Sequence, residues 1–553
     1  MLKKSIQPKS ANCIHHLLLN NNVYSSWGVN LLKISLVHIS ISCVLTSCVL
    51  ISDSQTVKPQ TSNSLPLQSG DVVTASVDLT RPGKTIPWSF SGFSFEYGDI
   101  LNFTGRTTTA INSSFVQLLQ NIGKFNNGVP VVRIGGNSTD YSWWNPKNAP
   151  KPAGIKYNIT QKDLSSIQAS LSRSNAKLIL GMNLAQNQPS MAVALAKASK
   201  STFPPSRILA YELGNEPDIY AQHYYYKDPA NGGKVNVRSS SYNFNQYLSE
   251  FKNYSSTLKN SFSTMPPLAG LVFTTSQYGW MQYLPAFLSN QSSMVKLITY
   301  HRYPLSACSF SQPGSSTYPT IPNLLADKAS AGLAQGVAPF VAQAKKYKIP
   351  LSLTELNSVS CGGKDGVSNT LAAALWGTDV MFNLASVGVK GVNFHTGSDA
   401  HYSPFTFKGS DNTTGKFVAK VKPLYYGMLL FAQAASNKAR LLPVSSQSKG
   451  NVKVWATVDQ RNIVRVVAIN KDITAKGNAK IKLSSPRSPA SLIRLLGASV
   501  SSSKKITLAG QTFYGTTNGK PAGKYTSTVV TPKQGTYTFS LPPASAALLT
   551  IKP

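Results

Sequence analysis

The chain is 553 residues long and carries 54 Lys and Arg against 20 Asp and Glu, a formal net charge of +34. With 42% hydrophobic residues it is a globular protein with room for two or more domains. So basic a chain attracts polyanions, yet it contains no run of about five to eight Lys or Arg, which argues against a nucleic-acid-binding protein.

The excess comes from missing acids. There are 15 Asp and only five Glu: Glu96, Glu212, Glu216, Glu250 and Glu355. Glu is normally among the commonest residues, so these survivors are enriched in positions where a carboxylate has a task. Four of them stand in short apolar segments, where an ionised carboxylate is costly unless paired or functional. Glu250 alone sits in an ordinary helical surface pattern.

Taken in chain order, residues 1–52 read as a targeting segment. Residues 34–51 are an apolar run long enough to cross a bilayer, preceded by Lys3, Lys4, Lys9 and Lys33. Three readings stay open: a cleaved signal peptide, an uncleaved anchor, or a lipoprotein leader ending at Cys48. In each the protein acts outside the cytoplasm. Residues 53–70 are a linker rich in Ser, Gln, Thr and Pro. Cys13, Cys43 and Cys48 belong to the leader, leaving Cys308 and Cys361 as a candidate disulfide in an oxidising compartment. Sequons stand at Asn102, Asn112, Asn137, Asn158, Asn253, Asn290 and Asn412, several of which this composition produces by chance.

From residue 86 to 430, apolar runs alternate with helical segments. The strands are expected at 89–96, 129–137, 176–184, 208–216, 268–275, 296–303, 349–357 and 389–397. Helices are expected at 112–122, 162–172, 190–200, 243–261, 280–289, 323–347 and 368–387. Near-continuous apolar strands, each followed by a helix, predict a (β/α)8 TIM barrel. A doubly wound open sheet is the alternative, but its Gly-rich phosphate fingerprint is missing. From 431 to 553 the texture changes to alternating strands between Gly, Pro, Asn and Ser turns, which predicts an antiparallel β-sandwich. The strand in 71–85 shares that alternation and is expected to join it.

At the C-terminal strand ends of such a barrel, polar side chains face the active site. Those positions hold Glu96, Asn137, Asn183, Asn215-Glu216, His301-Arg302-Tyr303, Glu355 and His395. Glu216 ends the fourth strand and Glu355 the seventh, so a closed barrel sets two carboxyl groups across one crevice, as glycoside hydrolysis requires. Glu212 shares the strand face of Glu216 and reads as structural, paired to Arg133 or His301. Metal-ligand spacing is absent, and no metal or cofactor is expected. No protein partner is evident.

The run Tyr211-Glu-Leu-Gly-Asn-Glu-Pro-Asp218 resembles the Asn-Glu-Pro acid/base motif of the large clan of retaining (β/α)8 glycosidases, and Leu353-Thr-Glu355 resembles its nucleophile strand. More narrowly, FSFEYGDI (93–100), VRIGGNSTDYSWW (132–144) and the terminal LPPASAALLTI resemble the β-glucuronidase and heparanase-like family over about residues 70–553. The resemblance implies that Glu216 is the acid/base and Glu355 the nucleophile. It also implies that Asn215 binds the sugar 2-hydroxyl and Tyr303 hydrogen-bonds the nucleophile, with Glu96, Asn137 and His301 in the substrate site. It further implies a carbohydrate substrate, an anionic glucuronate-containing one, its carboxylate met by groups around Tyr303 and residues 395–402. No polysaccharide-binding basic cluster is visible along the chain. An arabinofuranosidase or xylosidase of the clan, or a carbohydrate-binding protein without catalysis, are the competing readings.

Overall fold

The computed structural model describes residues 65–126, 129–275, 279–408, 417–485 and 487–553. The expected leader with its three cysteines, most of the linker and the Asn412 sequon lie outside the described residues. Among the described residues no helix is long and apolar enough to cross a membrane.

Eight parallel strands close into a barrel. They are Ser91–Glu96, Val131–Gly135, Lys177–Met182, Ile208–Leu213, Leu268–Phe273, Val295–Arg302, Leu351–Leu356 and Val392–His395. Each pairs with the next in sequence, and the eighth returns to the first through Val392↔Ser91 and His395↔Ser94. Most are buried along their length because helices cover the outer face and side chains fill the inner one. Val131, Ile179, Ala210, Ala269 and Leu297, all near strand starts, form an apolar plug at the bottom of the barrel. The first strand ends at Glu96 as expected, and the other seven end one to three residues earlier than their apolar patterns suggest. Asn137, Glu216 and Tyr303 therefore stand at the starts of loops, where a side chain can lean over the mouth.

The helices show why their sequences fold locally. Helix Gln161–Ser174 starts at Thr160, which forms a capping box with Asp163, and stops at Asn175, whose left-handed backbone (φ 53°) cannot continue it. Helix Phe244–Ser261 opens with the same device, Asn243 with Gln246. The segment expected as one helix over 323–347 is three pieces: Ile321–Leu325, a π-helical turn Lys328–Gly332, and Leu333–Lys346. An eighth helix, Pro423–Ala434, crosses the 430/431 boundary that composition suggested. It is buried almost all round and shows no polar face by which periodicity could delimit it; Leu371–Val387, expected at 368–387, is buried likewise.

The remaining strands form two sheets. One is four-stranded, in the order Val444–Ser448, Asp71–Val77, Gly477–Leu483, Thr536–Leu541. Asp71–Val77 runs antiparallel to the first and parallel to the third, so the N-terminal strand does complete the sandwich. The larger sheet runs Arg440–Leu442, Val452–Val458, Val464–Asn470, Ser545–Ile551, Ala490–Leu496, Thr507–Leu508, with Thr528–Val530 also pairing Ala490–Leu496. Their facing residues, among them Val73, Ala75, Ile481, Phe539, Val466 and Leu549, make the sandwich core. The other face of the larger sheet packs on the barrel through Val467, Ile469, Ile493 and Leu548. Trp455 stacks on Phe382 there (5.5 Å between centroids) and donates to Asp379 (2.9 Å), which Lys471 pairs at 2.8 Å. The barrel is thereby clamped behind its seventh and eighth strands.

Candidate active site

The barrel mouth opens into a cavity of about 810 Å³ whose walls include Glu96, Asn137, Glu216, Tyr303, Glu355 and His395. Glu216 is put there by the backbone. Gly214 takes φ 76°, where a Cβ would meet the Tyr220 hydroxyl at 2.5 Å, and Glu216 itself takes φ 51°. The turn is fixed from below by buried Asp140. Its carboxylate accepts from the amides of Leu184 (3.0 Å), Ala185 (3.1 Å) and Asn215 (3.0 Å) and from the Tyr220 hydroxyl (2.6 Å). Burial pushes the Asp140 pKa up, against the pull of those donors.

Glu355 stands opposite, on the seventh strand. One carboxylate oxygen from each of Glu216 and Glu355 and a ring nitrogen of His301 lie within 4.8 Å of one another. The two carboxyl groups have different surroundings. Glu355 accepts from the Tyr303 hydroxyl (2.8 Å) and from Arg133 Nη1 (2.8 Å), with His395 Nδ1 at 3.6 Å and His301 Nδ1 at 3.9 Å. Burial alone would raise its pKa. The charges of His395, His301 and Arg133 and the Tyr303 bond outweigh it and hold the carboxyl far below the usual range. Glu216 contacts a single ring, His301 Nδ1 at 2.9 Å.

Arg133 organises the floor. Its fully buried guanidinium donates to Glu212 (2.6 Å), Glu355 (2.8 Å), Asn215 Oδ1 (3.0 Å) and Ser94 (3.1 Å). Glu212 is thus Arg133's partner and His301 belongs to Glu216, which resolves the two partners open for Glu212 in the sequence. Asn215, held by Arg133, donates to exposed Asn137 (3.0 Å). Glu96 accepts from the amides of Asn137 (3.1 Å) and Ser138 (2.7 Å) and lies 3.7 Å from His395 Nε2. Gly136 (φ 71°) is required here because a Cβ would collide with the Glu96 carboxylate at 2.2 Å. Burial works against protonation of His395, but the charges of Glu355 and Glu96 prevail and raise its pKa.

The barrel gathers all the expected site residues at one mouth: Glu216, Glu355, Asn215, Tyr303, Glu96, Asn137 and His301. Cys308 and Cys361 are bonded and line the cavity wall between the sixth- and seventh-strand loops. Three contributors were not assigned from sequence: Arg133 to the nucleophile, Asp140, and Phe310 on the rim, which is 72% exposed. A lone Arg inside the apolar run VPVVRIGG was the available signal for the first. Glu216, His301 and Glu355 are close enough to hold a cation, but Arg133 and Tyr303 already donate to both oxygens of Glu355, an arrangement suited to a carboxylate and not to a metal.

Comparison with known proteins agrees with this architecture. Residues 454–548 match the glycosyl hydrolase family 79 C-terminal beta domain. The chain is 25% identical to a β-glucuronidase of Aspergillus niger over 510 residues, 84% of this chain and 90% of that one. It is also 25% identical to a β-glucuronidase of Neurospora crassa over 451 residues, 72% of this chain and 75% of that one. Among solved structures it shares the fold of a 4-O-α-L-rhamnosyl-β-D-glucuronidase from Fusarium oxysporum 12S (TM-score 0.69, 22% identity, 86% of this chain, 100% of that one). It also shares the fold of a family 51 arabinofuranosidase from Xanthomonas axonopodis pv. citri (TM-score 0.64, 14% identity, 87% and 100%). A TIM barrel with a sandwich built from both chain ends, together with these relatives, defines a retaining glycoside hydrolase acting on carbohydrate. Within that class the chain is similar to the β-glucuronidase and heparanase-like family, whose family 79 C-terminal domain it matches over residues 454–548.

Proposed function

We propose that the enzyme is a β-glucuronidase that removes terminal glucuronate by double displacement, with Glu216 as acid/base and Glu355 as nucleophile. The observation that carries this is the approach of the two carboxylates within 4.8 Å. Retaining glycosidases hold them about 5–5.5 Å apart, whereas inverting ones need about 6.5–9.5 Å to admit a water. Glu355, kept ionised by its donors, attacks the anomeric carbon as Glu216 gives its proton to the leaving oxygen, and a glycosyl ester forms. Glu216 then takes a proton from water, which attacks the anomeric carbon and frees Glu355. Asn215, aligned by Arg133, meets the 2-hydroxyl, and Glu96 and Asn137 hold other hydroxyls.

Among the described residues that line the cavity none is Lys or Arg. The glucuronate carboxylate is instead met by neutral donors, the hydroxyls and amides of Tyr402, Cys361 and Gly362, and by the His395 ring, whose pKa Glu355 and Glu96 raise. Secretion fits both the apolar leader and a disulfide between loops. In a secreted chain, glycans would fall on the exposed Asn253 and Asn290, since Asn112 is buried and Asn137 lines the cavity.

The test is hydrolysis of p-nitrophenyl β-D-glucuronide beside the glucoside, xyloside and α-L-arabinofuranoside, with Glu355→Gln as control. Turnover confined to the glucuronide and lost in the variant is expected. Turnover of a neutral glycoside alone would replace the sugar assignment. Silence on all four from folded protein would favour endo action or pure binding.

A further inference from the structure

The charge that dominates the composition is not at the catalytic cavity. Residues 431–553 contain 18 Lys and Arg but only two acids, Asp459 and Asp472. Asp459 pairs Arg465 at 3.0 Å, and Asp472 accepts from the turn amides of Thr474 and Ala475.

Strand alternation places two of the lysines on one face, and three more flank the same strands. In the four-stranded sheet Ala479, Ile481, Tyr537 and Phe539 point into the sandwich core, so Asn478, Lys480, Lys482, Thr538 and Ser540 point outward. Lys482 is exposed, and Lys480 is half-buried against Asp71 (3.0 Å). Exposed Lys476 precedes the strand, and exposed Lys449 bonds through its amide to Val72 at the same end. Exposed Lys533 stands in the turn bridged to Thr536, the register partner of Lys482. Among the described residues, Lys449, Lys476, Lys482 and Lys533 form no ion pair. Like charges gathered on one sheet repel and do not stabilise it. They do attract a polyanion.

We propose that this face is a docking surface for an anionic polysaccharide, a carboxylated or sulfated chain held while the cavity works on an end. The lysines alternate with Asn, Ser and Thr side chains that match sugar hydroxyls, a pattern better suited to a glycan than to lipid headgroups. The nature of the polymer rests on the carbohydrate-cleaving reading, but its capture is measured without catalysis.

The experiment compares the full chain with Lys449→Gln/Lys476→Gln/Lys482→Gln/Lys533→Gln on polygalacturonate and neutral galactan beads across a salt series. Turnover of p-nitrophenyl glucuronide and the thermal transition are followed in parallel. The wild type should bind polygalacturonate only and be released by salt, since exposed charges are screened beyond about 8 Å at physiological ionic strength. The variant's Kd should rise about tenfold or more, with kcat/KM on the small glycoside unchanged. A single Lys482→Arg, which keeps the charge, should bind as wild type. Equal retention of wild type and quadruple variant overturns the proposal. So does capture by phosphatidylglycerol vesicles that the variant loses while polygalacturonate binding persists. If small-substrate turnover is absent yet the beads still discriminate, the docking surface stands and the glucuronidase reading falls.

Discussion

Replacing Arg133 by Met separates electrostatic support from packing. Arg133 donates at 2.6 Å to Glu212, and both side chains are fully buried. The other oxygen of Glu212 has no hydrogen-bond partner among the described residues. Met keeps most of the volume but leaves Glu212 a buried carboxylate without a cation. Glu355 is less exposed to the change, because Tyr303, His395 and His301 remain beside it. Breaking one side of a buried pair costs about 3–5 kcal/mol, a large part of a typical stability of about 5–15 kcal/mol.

The assay is urea unfolding of wild type and variant at pH 7. Arg133→Met/Glu212→Gln, which removes the unpaired carboxylate, should recover much of the loss. No recovery in the double variant would refute the reasoning and assign Arg133's contribution to packing.

Other outcomes follow from the same geometry. Glu355→Gln removes the largest charge that raises the His395 pKa while burial persists, so the His395 ring protons should titrate at lower pH in NMR; an unmoved titration would deny the pairing. In the wild type the two groups act in opposite windows. The depressed Glu355 pKa contributes stability above about pH 4.3, lost as pH falls through its folded value. The raised His395 pKa contributes below about pH 6.5, lost as pH rises through its folded value. Tyr303→Phe deletes a 2.8 Å charge-assisted bond to the nucleophile; kcat should fall by roughly 10- to 100-fold with KM little changed, from a bond of about 1.5–3 kcal/mol. Glu216→Ala should spare glycosylation by p-nitrophenyl leaving groups but stall deglycosylation, with azide restoring turnover as a glycosyl azide. Cys308→Ser/Cys361→Ser opens a loop of sequence separation 53. It should cost about 4 kcal/mol on the chain-entropy argument, read by thermal unfolding with and without reductant.

Sequence by itself determined a good deal. Strands buried on both faces are apolar runs, so all eight were recognisable, although their ends were set too late where polar site residues continue the pattern. Glu216 and Glu355 stood out because a carboxylate is expensive inside apolar surroundings and this chain has almost none to spare. Helix Pro423–Ala434 was not recognisable, since tertiary packing buries it all round and removes the amphipathic signal. Barrel closure decided the rest. It brings Arg133 of the second strand to Glu355 of the seventh, and His301 of the sixth to Glu216 of the fourth, partners between 85 and 222 residues apart. In the sandwich, register sets Lys480 and Lys482 on the outward side of the four-stranded sheet, with Lys449, Lys476 and Lys533 flanking its strands, a juxtaposition no local stretch of sequence displays. Local sequence encodes periodicity and the cost of burying each side chain, whereas which charges meet is a property of the closed sheet.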